Sequence, residues 1–158
     1  MTNQPARPLH AANPLPIALR PAQPEDFAFC RRVTRETMRW IIEQLFGWDE
    51  AQQAEKFASR WRLDETRIIT FAGEDAGWLQ TRPAEDSVFL GQLYLDGRFH
   101  GRGIGTLVVQ IVIDEAKRDG KAVTLSVVKI NPARRLYERL GFITTHENEY
   151  KFYMRREP

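Results

Sequence analysis

Apolar residues change their spacing along the chain, and each spacing predicts a different kind of element. Between residues 103 and 119 they recur every three or four positions, which predicts an amphipathic helix. The apolar face of that helix comprises Ile104, Leu107, Val108, Ile111, Val112 and Ala116. From residue 122 to residue 128 the chain is almost continuously apolar, which is typical of a strand covered on both faces. Gly120 between the two segments is a natural helix stop.

The rest of the pattern predicts short strands and three further helices. The predicted strands span residues 17–20, 67–72, 77–81, 87–96, 142–145 and 150–155. The predicted helices span residues 24–47 with a break, 49–61 and 131–141. Helices come first, then antiparallel strands, then a strand–helix–strand unit. This order predicts a single α+β domain.

Composition narrows the class of protein. The 158 residues amount to one domain, and the net charge of +2 with interleaved acids and bases gives no reason to expect nucleic acid. Cys30 is the single cysteine, so no disulfide or Cys-x-x-C metal pair is expected. No apolar run is long enough for a membrane helix, and we expect a cytoplasmic protein without a metal. Residues 1–16 are rich in proline and predict a flexible tail, with the folded domain at 17–158.

A glycine-rich segment lies between the strand at 87–96 and the amphipathic helix. It reads His100, Gly101, Arg102, Gly103, Ile104, Gly105 and Thr106. Glycines let the backbone approach an anion closely, and the free N–H groups of a helix start point at it. Thr106 stands where a dinucleotide fingerprint needs its third glycine, and no Gly-Lys-Ser/Thr follows. The segment therefore predicts a pyrophosphate site of another kind, or simply a tight strand–helix turn.

A second motif runs from residue 131 to residue 142. Asn131 can cap a short helix with Pro132 at its first position, and Gly141 ends it. Two leucines four residues apart predict the core face, and Tyr137 lies at the boundary of that face, where its hydroxyl can reach a cleft. On its own the pattern is also that of a core tyrosine and a simple N-cap.

Together the two motifs resemble the GNAT N-acetyltransferase superfamily. Gly103-Ile-Gly105 matches its pyrophosphate-binding glycine pair, Leu93 and Leu95 match the apolar pair on the preceding strand, and Asn131 to Phe142 matches its Asn…Ala…Leu-Tyr-Glu-x-Leu-Gly-Phe run. The resemblance implies a mostly antiparallel, splayed sheet flanked by helices, with acetyl-coenzyme A (acetyl-CoA) as the acyl donor. It also implies that Asn131 touches the cofactor arm. His100 replaces the usual glutamine or arginine, and Arg102 is the candidate for the missing cation.

The function that this resemblance implies is transfer of an acetyl group to a primary amine, by direct attack, with a small-molecule amine favoured over a protein lysine. Tyr137 would be the general acid, because a phenol can return a proton to the departing thiolate. A non-catalytic acyl-CoA-binding regulatory module and an interaction domain are alternatives from other classes. No nucleic-acid or membrane partner is expected, and a homodimer is left open.

The sequence gives weaker signals for the general base and the acceptor site than for the donor site. Gln92 and Tyr94 occupy the strand positions where the superfamily carries a base, and neither is persuasive. Glu36 and Glu43 are candidate substitutes, although the pattern favours solvated acids on a helix face. The candidate acceptor residues are Glu36, Trp40, Glu43 and Trp48, with Asp49 and Glu50 beside them. Carboxylates and indole rings can hold a cationic amine. The competing interpretation is that the tryptophans pack the helices and the acids are solvated.

Overall fold

The computed structural model describes residues 16–158, so the predicted tail lies outside the described residues except for Pro16. The strands are β1 (Ile17–Pro21), β2 (Thr66–Phe71), β3 (Glu74–Pro83), β4 (Ser87–Leu95), β5 (Ala122–Val128), β6 (Ile143–Glu147) and β7 (Lys151–Arg156). The helices are α1 (Phe27–Phe46), α2 (Glu50–Arg60), α3 (Ile104–Arg118) and α4 (Arg134–Arg139). Short 3₁₀ turns lie at Pro24–Asp26, Leu63–Glu65 and Gly97–Phe99.

Each predicted helix and strand is present in the structure, but several bounds differ, and the helix predicted at 131–141 is only the six residues of α4. The break predicted in the first long helix is wrong: α1 is continuous, because no proline or glycine interrupts it between Phe27 and Phe46. The third strand is longer than predicted, since β3 begins at Glu74. Ala72 and Gly73 both have positive φ angles, of 50° and 83°, and make the turn with two residues.

The strands form one seven-stranded sheet in the order β1-β2-β3-β4-β5-β7-β6. All neighbouring pairs are antiparallel except β4 and β5, which are parallel. These two strands pair only along Ser87–Leu90 and Ala122–Leu125. The register between β3 and β4 shifts beside Gly91, and such a bulge bends a strand. The predicted α+β domain with a mixed, mostly antiparallel, splayed sheet is confirmed.

Helices cover both faces of the sheet. On one face α3 buries its apolar side against the sheet, and α4 packs on the same core through Leu136, Tyr137 and Leu140. On the other face α1 and α2 enclose a smaller core that contains Cys30, Val33, Ile68 and Trp78. Burial of the apolar side chains in these two cores is the main favourable contribution to the free energy of folding.

Candidate functional site

The sheet opens between β4 and β5 beyond their paired residues. After Leu90 and Leu125 the two strands have no mutual hydrogen bonds. Leu93 and Leu95, the apolar pair predicted from the sequence, lie on the open part of β4 and are half-buried against the α3 core. The opening exposes backbone groups and apolar side chains that a paired strand would cover.

The glycine segment forms a cradle at the start of α3. Gly101 and Gly103 have φ angles of 71° and 76°, and a Cβ on either would meet no atom within 4 Å. The first hydrogen bond of α3 runs from the Leu107 N–H to the Gly103 carbonyl at 3.2 Å. The N–H groups from Gly103 to Thr106 therefore have no partner within the helix. Free N–H groups beside open space fit a phosphate group.

His100 and Arg102 have different surroundings in this loop. The His100 Nε2 atom lies 2.7 Å from the Leu95 carbonyl oxygen, and since a carbonyl only accepts, the imidazole donates. The ring thus ties the loop to the end of β4. The Arg102 guanidinium lies over the Phe71 ring at 4.6 Å and near Phe99 at 5.7 Å. It remains exposed beside the cradle.

Asp96 is a structural residue of the site that the sequence analysis missed. Its carboxylate is buried, caps the Gly97–Phe99 turn by accepting from the Arg98 N–H, and accepts from Arg32 Nη2 at 3.0 Å. Burial alone would raise the pKa of Asp96, but the Arg32 and Arg98 hydrogen bonds outweigh it, and the pKa lies below its usual value. An aspartate directly before a Gly-led turn is the N-cap signal that could have identified it.

The two sequence motifs meet at Gly105. A Cβ on this glycine would contact Leu136 of α4 at 3.5 Å and Leu95 of β4 at 3.8 Å. Asn131 caps the turn that leads into α4, since its Oδ1 accepts from the Ala133 N–H at 3.0 Å. The cradle, the open strand and α4 are therefore neighbours in the fold.

Tyr137 reaches the cleft from α4. Its ring packs against Phe142 with centroids 5.8 Å apart, and the side chain lines the cleft together with Asn131 and Leu93. Its hydroxyl has no hydrogen-bond partner among residues 16–158. Burial raises the pKa of Tyr137 to about 12.

The cleft encloses about 250 Å³ between the opened sheet and the α1–α2 pair. Its inner wall contains Trp61, Trp78, Gln80, Gln92 and Tyr94. Two polar groups of this wall already have hydrogen-bond partners within the protein. Trp78 Nε1 donates to Thr34 Oγ1 at 3.0 Å, and the Tyr94 hydroxyl donates to Gln92 Oε1 at 2.6 Å. Burial raises the pKa of Tyr94, with a further contribution from nearby Tyr137.

Three of the four predicted acceptor residues do not line the cleft. Trp48 does, although its Nε1 donates to Glu50 and Arg39 lies 5.3 Å from its ring. Glu36 and Glu43 pair with Arg32 and Arg39 on the outward side of α1. Trp40 lies on that same outward side and is 48% exposed.

The cleft-facing side of α1 comprises Arg31, Thr34, Arg35, Met38 and Ile42. Residues 36, 40 and 43 are about half a helical turn away from that side. The predicted cation-binding set is therefore not assembled, because the helix presents its other face to the cleft.

Charges on the cleft wall are mostly positive. The cations that line it are Arg31, Arg35, Lys56, Arg60 and Lys151. The acid that lines it is Glu50, which pairs with Arg35 Nε at 3.0 Å. The described part of the wall contains no carboxylate on β4 where the superfamily carries its base.

The opened sheet, the glycine cradle and the adjoining tyrosine form one continuous candidate site. Within residues 16–158 no cluster of three histidine, cysteine or acidic side chains is arranged to hold a metal ion. The family is given by direct comparison: the model of the acetyltransferase (GNAT) family matches residues 29–142. The chain therefore belongs to the GNAT acetyltransferase family.

Individual relatives agree with this assignment. The chain is 26% identical over 133 residues to an uncharacterized N-acetyltransferase of Methanocaldococcus jannaschii, covering 71% of this chain and 59% of the relative. It is 29% identical over 135 residues to mycothiol acetyltransferase of Rhodococcus erythropolis, covering 78% of this chain and 45% of the relative. The chain thus spans about half the length of these curated relatives.

Solved structures share the fold. PaiA N-acetyltransferase of Thermoplasma acidophilum, solved in complex with coenzyme A, superposes with a TM-score of 0.76 at 19% identity. The match covers 90% of this chain and 99% of that one. Among the described helices, none is long and apolar enough to cross a membrane.

Proposed function

We propose that this acetyltransferase moves the acetyl group of acetyl-CoA to a primary amine of a small molecule by direct attack, with Tyr137 as the general acid. The observation that carries the proposal is the Tyr137 hydroxyl, which faces the cleft without a hydrogen-bond partner among residues 16–158. A phenol in that position holds a proton that a departing thiolate needs.

The glycine cradle and the open strand provide the binding site for the donor in this proposal. The free N–H groups from Gly103 to Thr106 would hold its pyrophosphate, with Arg102 beside them. Leu93 and Leu95 would contact its extended arm along the open edge of β4. Asn131 and Tyr137 stand at the inner end of this path.

Removal of a proton from the incoming amine does not require a side-chain base here. Glu50, the acid of the described cleft wall, is already paired with Arg35. An amine that enters among several cations has its ammonium form destabilised by like charge, so its pKa falls. We infer that the amine reaches the donor neutral and attacks the thioester carbon. As the C–N bond forms and the C–S bond breaks, the nitrogen loses one of its two protons to water, and the departing thiolate takes a proton from Tyr137.

A small acceptor suits the dimensions of the cleft. The volume of about 250 Å³ lies just below the range of sites for small ligands. Next to Lys151 of the wall, Tyr150 contacts Phe46 at the end of α1, with ring centroids 5.0 Å apart. This contact joins α1 to the β6–β7 turn.

A panel of amines tests the proposal. Purified protein with acetyl-CoA is assayed for coenzyme A release against small amines and against lysine-containing peptides. We expect release that depends on a small primary amine, with the acetylated product identified by mass spectrometry. Coenzyme A binding without release for any amine would instead favour the non-catalytic acyl-CoA-binding module.

The pH dependence of turnover provides a separate prediction. Because the pKa of Tyr137 is raised to about 12, its proton is present throughout the range from about pH 6 to pH 10. We expect kcat/KM for the amine to rise with pH as the free amine deprotonates and then to stay level. A descending limb below about pH 10 that disappears in Tyr137→Phe would contradict this assignment of the pKa.

A further inference from the structure

Like charges lie four residues apart on the cleft-facing sides of both outer helices. Arg31 and Arg35 share the cleft side of α1, and Lys56 and Arg60 share that of α2. Like charges at this spacing repel each other and destabilise a helix. The outward side of α1 has the opposite arrangement, with the ion pairs Arg32–Glu36 and Arg39–Glu43. The two pairs Arg31–Arg35 and Lys56–Arg60 thus direct repelling cations toward the cleft.

Few of these cations are neutralised by the protein itself. Glu50 pairs with Arg35 and also accepts from Trp48 Nε1. The other four cations are Arg31, Lys56, Arg60 and Lys151, and none has a carboxylate within 4.0 Å in the described part of the chain. The whole protein has a net charge of only +2. The positive wall is therefore a local feature, and overall basicity does not explain it.

The phosphates of the donor have a different binding site. The glycine cradle belongs to α3, and none of its residues from His100 to Thr106 lines this cleft. The four cations lie on α1, α2 and β7, and α1 and α2 cover the sheet face opposite α3. They are therefore available to a second ligand.

We propose that the acceptor amine carries an anionic group, a carboxylate or a phosphate, which Arg31, Arg60 and the two lysines bind while the amine points to Tyr137. This inference rests on the proposed function. Guanidinium groups bind both anions in a bidentate manner. Trp61 and Trp78 line the cleft near these cations and provide an apolar wall for the carbon chain between the anion and the amine.

The positive wall that would bind the anionic group also affects the protonation state of the reacting amine. Cations at the wall disfavour the ammonium form of the acceptor by like-charge repulsion. The cleft therefore favours the neutral amine, which is the form that can attack. Diamines, which keep a positive group at their far end, are disfavoured for the same reason. The wall therefore discriminates among amines by the charge of the group distant from the reaction.

Matched acceptors test the inference. Coenzyme A release is measured for ω-amino acids of increasing length against their amides, and for aminoalkyl phosphates against the corresponding amino alcohols. We expect kcat/KM to be higher for the anionic member of the favoured pair by about tenfold. The two series distinguish a carboxylate from a phosphate. Added salt should raise KM for the anionic member, because the cations are exposed and screened.

The double variant Arg31→Gln/Arg60→Gln should raise KM for the anionic acceptor by about tenfold, with kcat and coenzyme A affinity near those of the wild type. Lys117→Gln/Arg118→Gln, in the last turn of α3, removes the same charge away from the cleft and should leave KM unchanged. Melting temperatures identify any loss of folding.

The failures of the two proposals can be distinguished. Equal turnover of anionic and neutral members, or an unchanged KM in Arg31→Gln/Arg60→Gln, would overturn the anionic acceptor and leave the amine acetyltransferase intact. Absence of turnover for every amine, with coenzyme A still bound, would overturn the proposed function and this inference together.

Discussion

Tyr137→Phe is expected to lower kcat by about 10²–10⁴-fold while coenzyme A affinity stays near that of the wild type. The substitution keeps the ring, which packs against Phe142, and removes only the hydroxyl. That hydroxyl has no hydrogen-bond partner within residues 16–158, so its loss leaves no protein donor or acceptor unsatisfied. The free energy of unfolding should therefore change little. Single-turnover kinetics with saturating acetyl-CoA measure the chemical step directly.

Two other tyrosines provide controls for this prediction. Tyr153 lies outside the cleft and stacks on His146, so Tyr153→Phe should leave kcat unchanged. Tyr94 lines the same cleft, but its hydroxyl already donates to Gln92. Tyr94→Phe should change kcat only a few-fold by loss of a hydrogen bond. A large fall in Tyr94→Phe together with a normal Tyr137→Phe would assign the general acid to Tyr94.

The second half of the fold could be predicted from the sequence because local signals agree there. β5 spans Ala122–Val128, as predicted, since its apolar run is bounded by Gly120 and by the turn at Asn131. Gly101 and Gly103, in the predicted glycine segment, both have positive φ angles. Each boundary depends on residues within a few positions, and such signals are present in a single sequence.

The face of α1 that meets the cleft could not be predicted in the same way. Its apolar and charged residues are mixed around the helix, and the predicted acceptor residues Glu36, Trp40 and Glu43 share one side of it. In the structure Arg31, Thr34 and Met38 face the cleft, because Cys30, Val33 and Ile41 form the buried core side. Which of two mixed faces is buried is decided by packing against Trp78 and Ile68 of the distant sheet.

The role of individual side chains in the glycine loop was also outside the reach of the sequence. His100 lies in the predicted pyrophosphate segment, and its ring donates to the Leu95 carbonyl. The contact closes a turn between residues five positions apart, and it depends on the bend that the Asp96-capped turn introduces. The backbone part of the site could be predicted from glycine spacing, whereas the side-chain part depends on loop geometry.

Gly103→Val is expected to abolish detectable coenzyme A binding in a protein that still folds. Gly103 has a φ angle of 76°, directly before α3, and space around its missing side chain is open. A valine there would place methyl groups over the N–H groups that begin the helix, where the cradle is meant to hold a phosphate. It would also strain the backbone, because a β-branched residue rarely adopts a positive φ. The affinity is measured by isothermal titration calorimetry.

Gly120→Val separates the steric effect from the strain. Gly120 lies just past the other end of α3 with a φ angle of 65°, and its missing side chain also faces open space. Both substitutions force valine into a left-handed conformation, which costs about 1–2 kcal/mol each, so both should lower the melting temperature to a similar extent. Only Gly103→Val should lose affinity for coenzyme A. Equal affinities in the two variants, measured well below both melting temperatures, would show that the glycine loop is a turn and that the pyrophosphate is held elsewhere.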